Sequence, residues 1–245
     1  MAFDSLELGW LIPESADFCE RLRALQIDAP RCGEMLHQLA SPRVDALPIA
    51  AVRHRVAVDI NLAPSDQEFQ QAIDPKSELH RTPSDAILLI LDHRWLGLTT
   101  PSPGSGDRVS SALNRFTELL DALQSAAATP IIVQTIGLAP YPLFGTFDRR
   151  FEGTARGVDT LNRGIAGLAK DCGLFLLDVA TLCETVGAVR FYDPVAWNLY
   201  KLPVASRVVP LYADWLGRLI GAIRGTARKC LVLDLDNTVW GGVIG

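Results

Sequence analysis

Apolar and polar residues change their rhythm twice along the chain. In the first forty residues Phe18, Leu22 and Leu25 recur at helical spacing behind Ser15, a residue type suited to capping a helix. Arg21 and Arg23 fall on the opposite side, and Asp28-Ala-Pro-Arg ends the segment. Residues 1–34 are therefore expected to form a helical preface. From about Met35 short apolar runs alternate with amphipathic stretches, the pattern of a parallel sheet covered on both faces. Strands are expected at Leu36 to Ala40, Arg55 to Leu62, Asp85 to Leu91, Pro130 to Ile136 and Gly173 to Asp178. Of these, Asp85-Ala-Ile-Leu-Leu-Ile-Leu91 is the clearest buried strand, because it is apolar on both of its faces.

Helices are expected at Val44 to Val52, Asp66 to Ile73, Arg108 to Ala128, Thr154 to Cys172 and Val179 to Val186. A last one, Leu202 to Ile223, is expected to be interrupted near Pro210. Leu113, Phe116, Leu119, Leu120 and Leu123 share one face of the third, and Leu161, Ile165 and Leu168 one face of the fourth. Pro101 to Asp107 reads as a loop, and so does Leu138 to Glu152, which is rich in Pro, Gly and aromatics. That second loop follows a strand, where doubly wound sheets place their ligands. Residues 35–225 thus read as one α/β domain with a doubly wound, mostly parallel sheet. A second change of rhythm comes at Gly225-Thr-Ala, which links to a final strand and turn in residues 229–245.

Composition narrows the class. A hydrophobic content of 49% is enough for a buried core in a chain of 245 residues. No apolar run reaches the roughly eighteen residues of a membrane span, and the N-terminus lacks the positive-then-apolar order of a secretion signal. A cytoplasmic protein with no membrane partner is expected. The net charge of -5, without any basic block, argues against nucleic acid. Cys19, Cys32, Cys172, Cys183 and Cys230 form no Cys-x-x-Cys pair and are odd in number, so neither a zinc site nor a disulfide framework is expected.

The candidate chemistry lies at the end of the chain. Leu231-Val232-Leu233 is a short β-type run leading into Asp234 and Asp236, which are two positions apart and so share one face of a strand end. Two carboxylates so placed can hold a divalent cation together. Asn237-Thr238 break the run, and Gly241-Gly242 permit a tight backbone excursion over a phosphate.

Asp234-Leu-Asp-Asn-Thr matches Asp-x-Asp-x-Thr/Val, and the chain here resembles the haloacid-dehalogenase (HAD) superfamily of phosphatases and phosphoryl-transfer enzymes. With Lys229-Cys-Leu-Val-Leu before it and Val-Trp-Gly-Gly-Val-Ile-Gly245 after it, it resembles more narrowly the FkbH-like branch. The resemblance implies transfer of a glyceryl unit from 1,3-bisphosphoglycerate, a phosphorylated three-carbon substrate, to an acyl carrier protein, in polyketide pathways. It implies Asp234 as the nucleophile and a Mg²⁺ ligand. Asp236 would be the acid/base and a second ligand through its carbonyl, and Asn237 and Thr238 would hold the phosphate loop. Cys230 is a candidate for a thioester, although it lies about 13 Å from Asp234 along an extended strand, and a core thiol is the plainer reading.

The body before residue 225 resembles the SGNH/GDSL hydrolase-like domain that precedes the HAD domain in that family, a flavodoxin-like sheet. Ile73-Asp-Pro-Lys-Ser-Glu-Leu-His80, Leu91-Asp-His-Arg94, the Asn162 helix and Asp193-Pro-Val-Ala-Trp-Asn-Leu-Tyr-Lys-Leu-Pro203 carry that likeness. The hydrolase's own signature is missing. Ser41 stands in Ala-Ser-Pro rather than Gly-Asp-Ser, and no histidine follows residue 93. A scaffold without that hydrolysis is expected. Arg94 and Lys201 are candidate anion-binding groups, and Asp193 could orient a partner, although a structural role suits each as well. A HAD site also needs a further Ser/Thr, a Lys and an acidic pair, so residues 229–245 are expected to be the start of an incomplete HAD domain. The alternative is a non-catalytic module that docks the carrier protein or positions substrate.

Overall fold

The computed structural model describes residues 34–39, 54, 58–63, 67–82, 84–92, 105–126, 128–138, 146, 154–200 and 204–225. Its elements in order are β1 (Glu34–Leu39), β2 (Val58–Leu62), α1 (Glu68–Ile73), α2 (Glu78–Arg81) and β3 (Ala86–Leu89), then α3 (Ser105–Ala126), β4 (Ile131–Gln134), α4 (Thr154–Asp171) and β5 (Phe175–Leu177), and finally α5 (Val179–Val186), α6 (Ala188–Phe191), α7 (Pro194–Tyr200) and α8 (Val209–Ile223). The five strands pair in the order β2-β1-β3-β4-β5, all parallel. This is the doubly wound α/β fold that the alternation of runs and helices implies. Its strand order reverses direction between β1 and β3, the place where open sheets of this kind form their crevice.

Alternation along each strand sorts the core into two layers. Leu88, Ile90, Ile132 and Leu177 point to one side, where Leu182, Phe191, Tyr212, Leu216 and Ile220 of the last helices pack. Ile87, Leu89, Ile131 and Val133 point to the other, against Phe116, Leu119, Leu123 of α3 and Val158, Leu161, Ile165 of α4. Ile87, Leu88 and Leu89 have no exposed surface, as a central strand covered twice requires. The helices α3 and α4 approach closely because Gly164 has no side chain. A Cβ there would come within 2.5 Å of Leu113.

Several boundaries differ from expectation for identifiable reasons. The helix expected from Arg108 begins at Ser105, so Ser105 to Asp107 of the expected loop belong to α3. A glycine costs little in a first turn, which lacks the full set of intrahelical bonds. Pro210 does not interrupt a helix but starts one. It occupies the first turn of α8, where its missing N–H would have had no intrahelical partner. Asp193 and Pro194 do the same for α7, with Asp193 Oδ1 accepting from Val195 N at 2.9 Å and Ala196 N at 3.2 Å. The expected preface, the helix Val44 to Val52, most of Leu138 to Glu152 and the final stretch 229–245 lie outside the described residues.

Candidate functional site

The carboxyl ends of β3 and β4 meet the face of the sheet covered by α5, α6 and α8, and a recess opens there. Its walls include Asp92, Gln134, Thr135, Gly137, Phe191, Tyr192 and Tyr212. Asp92 ends the run Leu88-Leu-Ile-Leu91 and is 8% exposed, and Gln134 and Thr135 are 4% and 5% exposed. Polar side chains so deeply buried need partners. Tyr212 Oη donates to Gln134 Oε1 at 2.8 Å, and Gln134 Nε2 donates to the Leu91 carbonyl at 3.1 Å, so one side chain ties α8, β4 and the end of β3 together. Burial raises the Tyr212 hydroxyl above its ordinary pKa.

The chain after β4 is clamped from both sides. Asn162 of α4 accepts from Ile136 N and donates to the Ile136 carbonyl, both at 2.8 Å, completing one residue's backbone bonding where the sheet has ended. From the other layer Tyr192 Oη donates to the Gly137 carbonyl at 2.6 Å. A side chain at Gly137 would be tight. An added Cβ would stand 3.0 Å from Cys183 Cβ and 3.1 Å from the Phe191 ring. The Phe191 and Tyr192 rings meet edge-on, 5.4 Å between centroids. Burial raises the Tyr192 hydroxyl too, with Cys183 and Asp92 pushing the same way. Cys183, whose thiol donates to the Leu138 carbonyl at 3.8 Å, is pushed up to about 11 by burial, Glu184 adding to the effect. It is a core thiol rather than a nucleophile.

At the end of β5, Asp178 caps α5. Its Oδ1 accepts from Thr135 Oγ1 at 2.9 Å and Thr181 N at 3.1 Å, and its Oδ2 accepts from Thr181 Oγ1 at 2.7 Å. Thr135 Oγ1 in turn accepts from Ala180 N at 2.9 Å. Burial alone would raise this carboxyl, but the donors from Thr181, Thr135 and Ala180 outweigh it and hold it below its ordinary 3.8. So saturated an acceptor is a poor catalytic base.

Two histidines have polar partners away from this edge. Ser77 Oγ donates to the Gln71 carbonyl at 2.7 Å and lies 2.9 Å from His80 Nδ1. Its single proton is already given to Gln71, so His80 must be the donor to it. A base for a serine nucleophile would need the opposite arrangement. This pair also precedes β3, at the amino end of the sheet. His54, which precedes β2, bonds through Nε2 to Asp214 Oδ1 at 3.0 Å, and Arg218 Nε bonds to Asp214 Oδ2 at 2.9 Å. Asp214 is 1% exposed; Arg218 pairs with it within α8, and His54 ties it to the segment before β2.

Of the site residues taken from the sequence, Arg94, Lys201, Cys230, Asp234, Asp236, Asn237 and Thr238 lie outside the described residues, as do Ser41 and His93. Asp193 is placed, as the cap of α7. Sequence reasoning passed over Asp92, Gln134, Tyr192 and Tyr212. The one visible signal was a charged residue ending a wholly apolar strand at Asp92. Among the described residues no three His, Cys, Asp or Glu side chains converge as a metal site would require. No described helix is long and apolar enough to cross a membrane.

No family model matches the chain, and no curated protein does. Solved structures do. The N-terminal part of the protein BF1531 from Bacteroides fragilis, containing a phosphatase domain and complexed with Mg, is 19% identical over 92% of this chain, with a TM-score of 0.74. At that identity the likeness is one of fold, and this chain spans 62% of that structure's chain. An acetylxylan esterase, Axe2, from Geobacillus stearothermophilus is 13% identical, over 79% of this chain and 94% of its own, at 0.48. A lipolytic protein of the G-D-S-L family from Desulfitobacterium hafniense is 10% identical, over 76% and 99%, at 0.47.

Proposed function

We propose that the chain is the N-terminal part of an FkbH-like, HAD-type glyceryl transferase/phosphatase that loads a glyceryl unit from 1,3-bisphosphoglycerate onto an acyl carrier protein. The observation that carries this reading is the order of parts. The stretch Asp234-Leu-Asp-Asn-Thr-Val-Trp-Gly-Gly-Val-Ile-Gly follows an α/β domain. A shared fold with the N-terminal part of a phosphatase-domain protein crystallised with Mg supports it.

The chemistry assigned to the stretch follows from charge. An anionic carboxylate approaches a phosphoryl group only where that group's charge is neutralised, and Mg²⁺ supplies this when bound. Asp234 attacks the phosphoryl group, Asp236 protonates the departing oxygen, and Asn237 and Thr238 orient the loop around the phosphate. Oxygen donors of this kind suit a hard cation. Cys230 is the candidate thiol for carrying the acyl group, and Arg94 and Lys201 are candidate contacts for its phosphate.

The test is intact-protein mass spectrometry of an acyl carrier protein incubated with the complete reading frame, 1,3-bisphosphoglycerate and Mg²⁺. A glyceryl adduct is expected. With Asp234→Asn the reaction should stop at the heavier phosphoglyceryl adduct, because the nucleophile for dephosphorylation is gone. Full dephosphorylation by that variant at the wild-type rate would overturn the assignment.

A second reading has an observation of its own. At the carboxyl edge of the sheet Asp178 is saturated as a helix cap, and the Ser77–His80 pair, at the amino end, has its proton turned the wrong way. An α/β domain so arranged suits docking a carrier protein or positioning its cargo better than hydrolysing an ester. Calorimetric titration of the protein with an acyl carrier protein tests this, and absence of binding would count against it.

A further inference from the structure

We draw no further inference here: the strongest candidate, the surface patch on the short helices α6 and α7 where Val189 and Val195 are exposed and Arg207 donates to the carbonyls of Val189 and Arg190, carries nothing because nothing in the structure shows what covers it.

Discussion

Replacing Asn162 offers a direct measure of how firmly the end of β4 is held. Asn162→Ala removes two hydrogen bonds to the Ile136 backbone, each 2.8 Å long. A net contribution of about 1 kcal/mol per bond puts the loss at about 2 kcal/mol. For a chain of this size that corresponds to a fall in Tm of roughly 4–8 °C. Asn162→Asp is the more discriminating change. It keeps an acceptor for Ile136 N but turns a carboxylate oxygen toward the Ile136 carbonyl, so at neutral pH it should be no more stable than the alanine variant. Protonation gives that oxygen a hydrogen to donate, so the native state binds the proton more tightly than the unfolded chain and the carboxyl's folded pKa is raised above about 3.9. The sign follows: the restored bond is present at low pH and is lost as pH rises through the raised value. Urea denaturation of both variants near neutrality and in mild acid measures this as a difference, from which every other acidic group cancels. The reasoning is refuted if either variant lies within about 0.5 kcal/mol of wild type, a range typical of surface changes, or if Asp and Ala differ by the same amount at both pH values.

Three other outcomes follow from the same region. Gly137→Ala should cost about 1–3 kcal/mol by thermal denaturation, because its Cβ would press on Cys183 and Phe191, and Cys183→Gly in the same chain should recover part of the loss. Cys183, with a thiol near 11 and buried, should resist iodoacetamide at pH 8 in the native state and react once urea unfolds the protein, as peptide mapping would show. Asp178 has a folded pKa below its ordinary 3.8, so its contribution is complete above that value and fades as pH falls through the lower, folded one. Asp178→Asn should therefore flatten the acid side of the stability profile and leave the neutral-to-alkaline side unchanged in shape.

The fold was legible where one residue's chemistry settles a local question. Val179 to Val186 appears as expected because Asp178 caps its start and Gly187, at a φ of 89°, ends it. The buried runs of β3 and β4 were equally plain, since a strand covered on both faces must be apolar throughout. Proline misled once. Pro210 was read as a breaker, whereas the first turn of a helix is the one place it fits without loss. The four-residue helices Glu78–Arg81 and Ala188–Phe191 are too short to show any period. The recess was hidden for a different reason. Tyr212 and Gln134 are 78 positions apart, and nothing local in either segment indicates that one hydroxyl will meet the other's amide. The Asp-x-Asp stretch suggests its chemistry from consecutive residues alone, and it lies outside the described residues.

The strand order also governs how the crevice is assembled in time. The paired residues Glu34 and Val58 are 24 positions apart, Ile87 and Ile131 are 44, and Leu36 and Ala86, which join across the reversal, are 50. Loop-closure entropy rises only slowly with length, so the longest pairing costs about 0.6 kcal/mol more than the shortest. That gap is too small to impose a strict order on the strands, yet it applies to the β1–β3 junction in particular. On a nascent chain emerging from its N-terminus, β1 must wait for all of β2 and α1 before its second neighbour exists. The junction that opens the crevice is therefore the last contact β1 can make, and until β3 arrives β1 has an unpaired edge that a chaperone, or another chain, can reach.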